Sequence, residues 1–367
     1  MNRTDRECLV GLNLITQLTP KRAKRLFAHF DSFSAIWDAP AARFGELFGS
    51  AVLGEAIASG RSDAAVDEEM TRADAAGVRI VTLVDSEYPT LLREIDDPPL
   101  VLYVRGRLPV DTATAIAIVG TRRGTQYGKM VGAKLASQLA LRGICIVSGL
   151  AAGIDAAAHQ GTLDVGGHTV AVLGCGVDIP YPKRNQPLYE RIAVEGTVMS
   201  EYPLGMRPAK WTFPQRNRIL SGLSRGVVVV QAPERSGSLI TARLALEQGR
   251  EVFAVPGNIS TTTSAGTNRL IKQGAKLVES AEDILEEFRD LRRMTRSAPP
   301  TEGNEDDATL TERERRVYEL ISLEPVHVDD IIARADLSPT EASHVLLLLQ
   351  LEDLVMEVEG GCYVRKP

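Results

Sequence analysis

The segment Lys210-Trp211-Thr212-Phe213-Pro214-Gln215-Arg216-Asn217-Arg218 sets cations beside aromatic rings at close spacing. It lies inside a run from Tyr202 to Pro233 that holds neither Asp nor Glu, in a chain of net charge -6. A local lack of acids in an acidic protein marks a surface for anions. Cations interleaved with rings suit a nucleic-acid strand, because the charges follow phosphates and the rings stack on bases. Dividing the charge by region sharpens this. Residues 111–290 carry 20 Lys/Arg against 16 Asp/Glu, residues 1–110 carry 13 against 16, and residues 308–367 carry 6 against 12. Only the central region is basic, so nucleic-acid binding belongs there first.

A second set of candidate residues is a series of glycine-rich turns: Gly120-Thr121-Arg122-Arg123, Ser148-Gly149, Gly174-Cys175-Gly176 and Ser236-Gly237-Ser238. Glycine lets backbone approach an anion, a following helix start offers free N–H groups, and Thr121, Ser148 and Ser238 add hydroxyls. Neither of the common nucleotide fingerprints fits these turns. Arginines fill the first turn where a dinucleotide pyrophosphate needs bare backbone, no acid closes the second strand, and no Walker A loop occurs, so no cofactor is expected. Asp155 and His159, four apart, share one helix face. That spacing suits an acid–base pair or a helix-start acid beside a satisfied core histidine. The second fits better, since neither a nucleophile nor a metal partner accompanies them. The other histidines have no metal-ligand spacing.

The elements that must position these residues follow from apolar periodicity. Ala115–Val119, Ile144–Val147, Thr169–Leu173, Thr197–Met199, Gly226–Val230 and Val252–Val255 are predicted strands alternating with helices. Continuous apolar strands of this kind form a parallel sheet covered on both faces. The fold class is therefore α/β: a doubly wound Rossmann-like domain over 111–290, in which the glycine turns all fall at the carboxyl ends of strands, where ligands bind. Residues 1–62 are read as a small helical domain of helix-hairpin-helix or sterile-alpha-motif type. Its helix from Pro20 carries Lys21, Arg22, Lys24 and Arg25, either a DNA-facing or simply a solvated basic face, and Thr19 is placed to cap it. Residues 63–110 form a bridge with strands at Val78–Leu83 and Leu100–Arg105. Residues 291–310 are a linker, and 311–367 give three helices and a hairpin, a winged helix opening on the capping box Thr311-Glu312-Arg313-Glu314. Its last helix, Pro339–Glu352, has no Lys or Arg, which disfavours duplex DNA and suits a protein partner. The run Val345–Leu349 within it is expected to pack internally.

Composition excludes several classes. No apolar run is long enough to span a bilayer, and no signal core follows Met1–Glu7, so a cytoplasmic protein is expected. Cys8, Cys145, Cys175 and Cys362 are widely spaced, which fits free thiols and gives no zinc pattern.

The central motifs resemble those of the DprA/Smf family of bacterial DNA-processing proteins. They occur in order over about 110–280: Val119-Gly120-Thr121-Arg122; Ser148-Gly149-Leu150-Ala151 with Gly153-Ile154-Asp155 and His159; Gly174-Cys175-Gly176 with Tyr181-Pro182 and Asn185; Ser200-Glu201-Tyr202-Pro203; Phe213-Pro214-Gln215-Arg216-Asn217-Arg218-Ile219; Ser236-Gly237-Ser238-Leu239-Ile240-Thr241-Ala242; and Val255-Pro256-Gly257. The resemblance implies a non-enzymatic role in natural transformation: binding and protecting incoming single-stranded DNA and helping to load a RecA-type recombinase, as a homodimer joined through the Rossmann-like domain. It implies a DNA pocket using Arg122 or Arg123, Lys210 and Phe213, with Arg216 and Arg218 contributing, or one of them serving instead as a buried structural residue. The rival is an enzyme, a nucleoside-monophosphate phosphoribohydrolase on a related fold. Those carry a Pro-Gly-Gly-x-Gly-Thr loop with a following Glu, and the comparable turn here, Ser236–Thr241, lacks the Pro-Gly-Gly start.

Overall fold

A computed structural model describes residues 3–107, 114–288, 291, 311–351, 354–358 and 360–365. The predicted linker at 291–310 lies outside the described residues apart from Leu291.

Six helices come first: α1 (Asp5–Leu14), α2 (Pro20–Phe27), α3 (Phe33–Asp38), α4 (Ala41–Phe48), α5 (Ala51–Ser59) and α6 (Asp63–Ala75). Thr19 occupies the start of α2, but its hydroxyl makes no capping bond; its carbonyl accepts the Arg22 and Ala23 N–H groups instead. The basic side chains of α2 are partly engaged: Lys24 pairs with Asp96 at 2.8 Å and Arg25 sits over the Phe48 ring.

The main sheet holds nine strands: β1 (Arg79–Thr82), β2 (Val101–Gly106), β3 (Ile116–Val119), β4 (Ile146–Ser148), β5 (Thr169–Val172), β6 (Thr197–Ser200), β7 (Gly226–Val229), β8 (Glu251–Ala254) and β9 (Lys276–Leu277). Their order is β1-β2-β6-β5-β4-β3-β7-β8-β9, parallel from β6 to β9. The expected parallel sheet is thus extended at one edge. The stretch read as a bridge supplies β1 and β2, and both of the pairings β1–β2 and β2–β6 are antiparallel. The short helix α7 (Thr90–Arg93) links β1 to β2, and crossovers run through α8 (Gln126–Ala140), α9 (Ile154–Asp164), α10 (Gln186–Glu195), α11 (Thr212–Gly222), α12 (Gly237–Glu247) and α13 (Ala265–Lys272).

The N-terminal helices are not a separate body. Leu9, Leu12 and Phe44 share one buried cluster with Tyr103, Ala171 and Val198 of the sheet. Each such side chain contributes roughly 1.5–3 kcal/mol by leaving water, so this docking is part of the fold. The C-terminal residues form a winged helix: helices Glu312–Leu320, Val328–Ala335 and Pro339–Leu351 with the sheet β10 (Val326–His327), β12 (Cys362–Arg365) and β11 (Val355–Val358). Val345, Leu346 and Leu349 point into its core with Val317 and Ile331. Among the described residues no helix is long and apolar enough to cross a membrane.

Chain direction along the sheet decides where a ligand can sit. From β3 the chain proceeds through β4, β5 and β6 on one side, then returns to β7 beside β3 and continues outward through β8 and β9. Neighbouring crossovers at β3 and β7 therefore diverge, which opens a crevice beyond their carboxyl ends. Gly153, at the entry to α9, brings the β4 turn against the β3 turn: its φ is 86°, and a Cβ there would lie 2.4 Å from the Thr121 carbonyl oxygen. Gly153→Ala is expected to lower stability by about 1–3 kcal/mol through backbone strain and that clash. Gly237→Ala, where a Cβ meets nothing within 4 Å, should shift stability by less than about 1 kcal/mol. Urea denaturation of both variants checks the contrast.

Candidate nucleic-acid interface

The crevice at the β3/β7 switch point has a volume of about 610 Å³. The β3 turn contributes Gly120, Thr121, Arg122 and Arg123; the β7 side contributes Arg235, Ser236, Gly237 and Ser238; the start of α11 contributes Lys210, Phe213, Arg216 and Asn217. A smaller recess of about 230 Å³ adjoins it, sharing Arg122, Tyr181, Phe213 and Arg216 and adding Gly149, Gly174 and Arg184.

Phe213 is the centre of this arrangement. The Arg122 guanidinium lies 5.2 Å from its ring centroid, and the Tyr181 ring lies 5.5 Å away at 32°. The cation–π contact orients Arg122; the two rings form a stacking platform at the crevice mouth. Arg122, Arg123, Arg184, Lys210 and Arg235 are exposed and have no carboxylate partner among the described residues. The crevice is therefore cationic with aromatic walls. The one carboxylate that lines it among the described residues, Asp155, is already committed.

That commitment explains much of the site. Asp155 is buried, and its carboxylate accepts the N–H of Gly120 at 3.4 Å and of Gly149 at 3.2 Å. Two glycine turns expected to offer N–H groups to an external anion thus bind an internal one. Arg216 is equally buried and donates to the Val172 carbonyl. Its guanidinium fills the space beside Gly149, where a Cβ would lie 2.3 Å from Nη1. Burial pushes the Asp155 carboxyl up and the Arg216 guanidinium down, each opposed by the charge of the other. Arg216 forms the floor of the crevice, and Arg122 and Lys210 form its rim.

Other expected site residues are engaged within the protein or fall elsewhere. Ser148 is fully buried and donates its hydroxyl to the Ile118 carbonyl at 2.6 Å, so it offers nothing to a ligand. Gly174 packs under Phe213, but Gly176 lies beside Asp178 and Pro203, outside both cavities. Ser238 is nearly buried, with its hydroxyl 2.7 Å from that of Ser236. Arg218 is turned away from the crevice altogether. It is buried, bonded to Glu201 at 2.5 Å, and 3.2 Å from Asp97, which corrects its placement among phosphate-facing residues. Tyr181, Arg184 and Arg235 line the cavities without having been singled out. Tyr181 was visible in the Tyr181-Pro182 motif, whereas Glu234 hides Arg235 by closing the acid-free run.

His159 and Asp155 do not form an acid–base pair. Thr169 spends its hydroxyl proton on the Ile146 carbonyl, so His159 Nδ1, 2.7 Å from that hydroxyl oxygen, must donate and Nε2 is bare. Burial holds the imidazole down to about 3. Among the described residues no cluster of His, Cys, Asp and Glu is placed to hold a metal.

Sheet order and crevice define a doubly wound Rossmann-like protein with a winged-helix appendage. The model of the family described as DNA recombination-mediator protein A matches residues 79–289, and that of the DprA winged helix domain matches 298–361. Protein Smf of Synechocystis is 35% identical over 380 residues, 95% of each chain. DNA processing protein DprA of Bacillus subtilis is 47% identical over 213 residues, 58% of this chain and 72% of that one. The crystal structure of DprA from Streptococcus pneumoniae superposes with a TM-score of 0.69 at 36% identity, covering 78% of this chain and 99% of that one. DprA from Helicobacter pylori, described for its single-stranded DNA binding mode, gives 0.52 at 34% identity over 57% of this chain and 96% of that one. The chain belongs to the DNA recombination-mediator family DprA/Smf.

Two outcomes follow from the buried charges. Arg218→Ala leaves Glu201 buried without its counter-charge and should cost about 3–5 kcal/mol, seen as a lowered urea midpoint. His159 has a folded value below its unfolded 6.5, so its contribution is full above pH 6.5 and is lost as pH falls towards 3, at up to about 1.4 kcal/mol per pH unit. Burial also holds His168 down, which adds in the same direction. Stability measured from pH 7 to pH 4 should show this slope, and His159→Gln should flatten it.

Proposed function

We propose that the chain binds single-stranded DNA in the switch-point crevice, protects the incoming strand and helps to load it onto a RecA-type recombinase during natural transformation. It does so without catalysis, as a cytoplasmic homodimer joined through the Rossmann-like domain. The observation that carries the reading is Phe213 in contact with both Arg122 and Tyr181, with Lys210, Arg123 and Arg235 around it: rings for bases and cations for phosphates in one open groove. The turn Ser236–Thr241 lacks the Pro-Gly-Gly start of the phosphoribohydrolase loop, which disfavours the rival. The Helicobacter protein, similar over 57% of this chain, is described for its single-stranded DNA binding mode. The acidic winged helix, whose last described helix lacks cations, suits a protein partner better than a duplex.

The test is a titration of labelled single- and double-stranded oligonucleotides with the full chain across a salt series. Single strands should bind more tightly, with affinity falling linearly in log salt. Lys210→Ala and Arg123→Ala should each reduce the salt slope by about 1, and Phe213→Ala should cost about 1–3 kcal/mol per stacked base. Unchanged affinity in all three variants would sink the assignment. Nucleoside monophosphates should release no base.

A further inference from the structure

Helix α11 has a second cavity on its other flank, of about 220 Å³. Lys210, Phe213 and Asn217 face the crevice, whereas Trp211, Gln215 and Arg218 line this second space. The spacing places those three along one stripe of the helix. The facing wall belongs to the N-terminal helices and the segment before β2, with Leu14, Ile15, Ala23, Pro98 and Pro99.

The chemistry of the cavity differs from that of the crevice. Arg218 is its one lining cation among the described residues and is taken by Glu201 and Asp97, so nothing there attracts a phosphate. Glu201 binds Arg218 through Oε2, and its other oxygen, Oε1, is buried with no hydrogen-bond partner among the described residues. A buried acceptor left open favours a ligand that brings an N–H donor. Trp211 is 56% exposed at the rim and meets Tyr202 edge-on at 6.1 Å. Flat prolines and an indole suit a planar ring. At 220 Å³ the space lies below the roughly 300–1,000 Å³ of drug-sized pockets, which suits a single ring system better than a folded segment.

We propose that this cavity takes one nucleobase of the strand held in the neighbouring crevice, stacked on Trp211 and presenting an exocyclic amino group to Glu201 Oε1. The inference rests on the strand-binding reading above. Lys210 and Trp211 are consecutive, so a phosphate on Lys210 brings an adjacent base to the cavity mouth, and the strand turns over the start of α11. Adenine, cytosine and guanine carry an exocyclic amino group, whereas the one Watson–Crick-edge donor of thymine, N3–H, is flanked by two carbonyl oxygens that the Glu201 carboxylate repels. Binding is therefore biased against thymine at this one position, while the open groove tolerates any base.

The chain has two tryptophans, so Trp37→Phe in the full-length protein leaves Trp211 as the reporter. This variant is titrated with labelled oligo-dC and oligo-dT of about 12 nucleotides, within the range of single-strand site sizes. Oligonucleotide anisotropy and Trp211 emission are read together. Oligo-dC is expected to change Trp211 emission and to bind about five-fold more tightly than oligo-dT, the size of one net hydrogen bond. Trp211→Ala should erase the difference and Trp211→Phe should restore it. Equal affinities with unchanged Trp211 emission overturn the inference and leave the crevice reading standing. No anisotropy change with either oligonucleotide overturns the crevice reading and the inference together. A Trp211 response to added recombinase alone would assign the cavity to a protein side chain and overturn it too.

Discussion

A carboxylate and a guanidinium removed from water, Asp155 and Arg216, tie together the parts from which the crevice is made. Burying either charge alone costs several kcal/mol. Here Asp155 holds the turns after β3 and β4 through the Gly120 and Gly149 N–H groups, and Arg216 reaches from α11 to the end of β5 at Val172. Four chain segments are thereby fixed by two side chains. The exposed cations at the rim depend on that fixture, since Arg122 can lie on Phe213 only if the β3 turn and the start of α11 keep their spacing.

Charge is sorted by depth. The buried arginines are neutralised by buried acids: Arg216 faces Asp155, and Arg218 is bonded to Glu201 and lies near Asp97. Arg122, Arg123, Arg184, Lys210 and Arg235 at the groove carry no such partners among the described residues and give it its field. A chain with net negative charge can present a basic groove in this way, because its excess acids lie in the N-terminal region and the winged helix.

Strands β3 to β8 were legible because each is an apolar run ended by a glycine or polar turn, and the helices between them follow from periodicity. The two residues of β9 give no such signal. The antiparallel placement of β1 and β2 was hidden because sequence marks a strand without naming its neighbour. In the candidate site, residue type located the cationic stretch but could not sort it. Lys210, Phe213 and Asn217 differ from Trp211, Gln215 and Arg218 by helical phase, and Arg218 also by the distant Asp97. Glu201, the acid just before the acid-free run, is itself the partner of an arginine inside it. Ser148 has the residue type of an anion ligand, and only the position of the Ile118 carbonyl reveals that its proton is spent.

The crevice walls come from residues near 120, 150, 213 and 236, brought side by side only by the strand order β4-β3-β7. No contiguous stretch contains a sub-site that could survive alone. Any occupant of the groove therefore binds the assembled sheet and not its fragments, so occupancy opposes unfolding of the whole domain at once. A nick or local melting at any one of the four segments disarms recognition completely instead of weakening it by degrees.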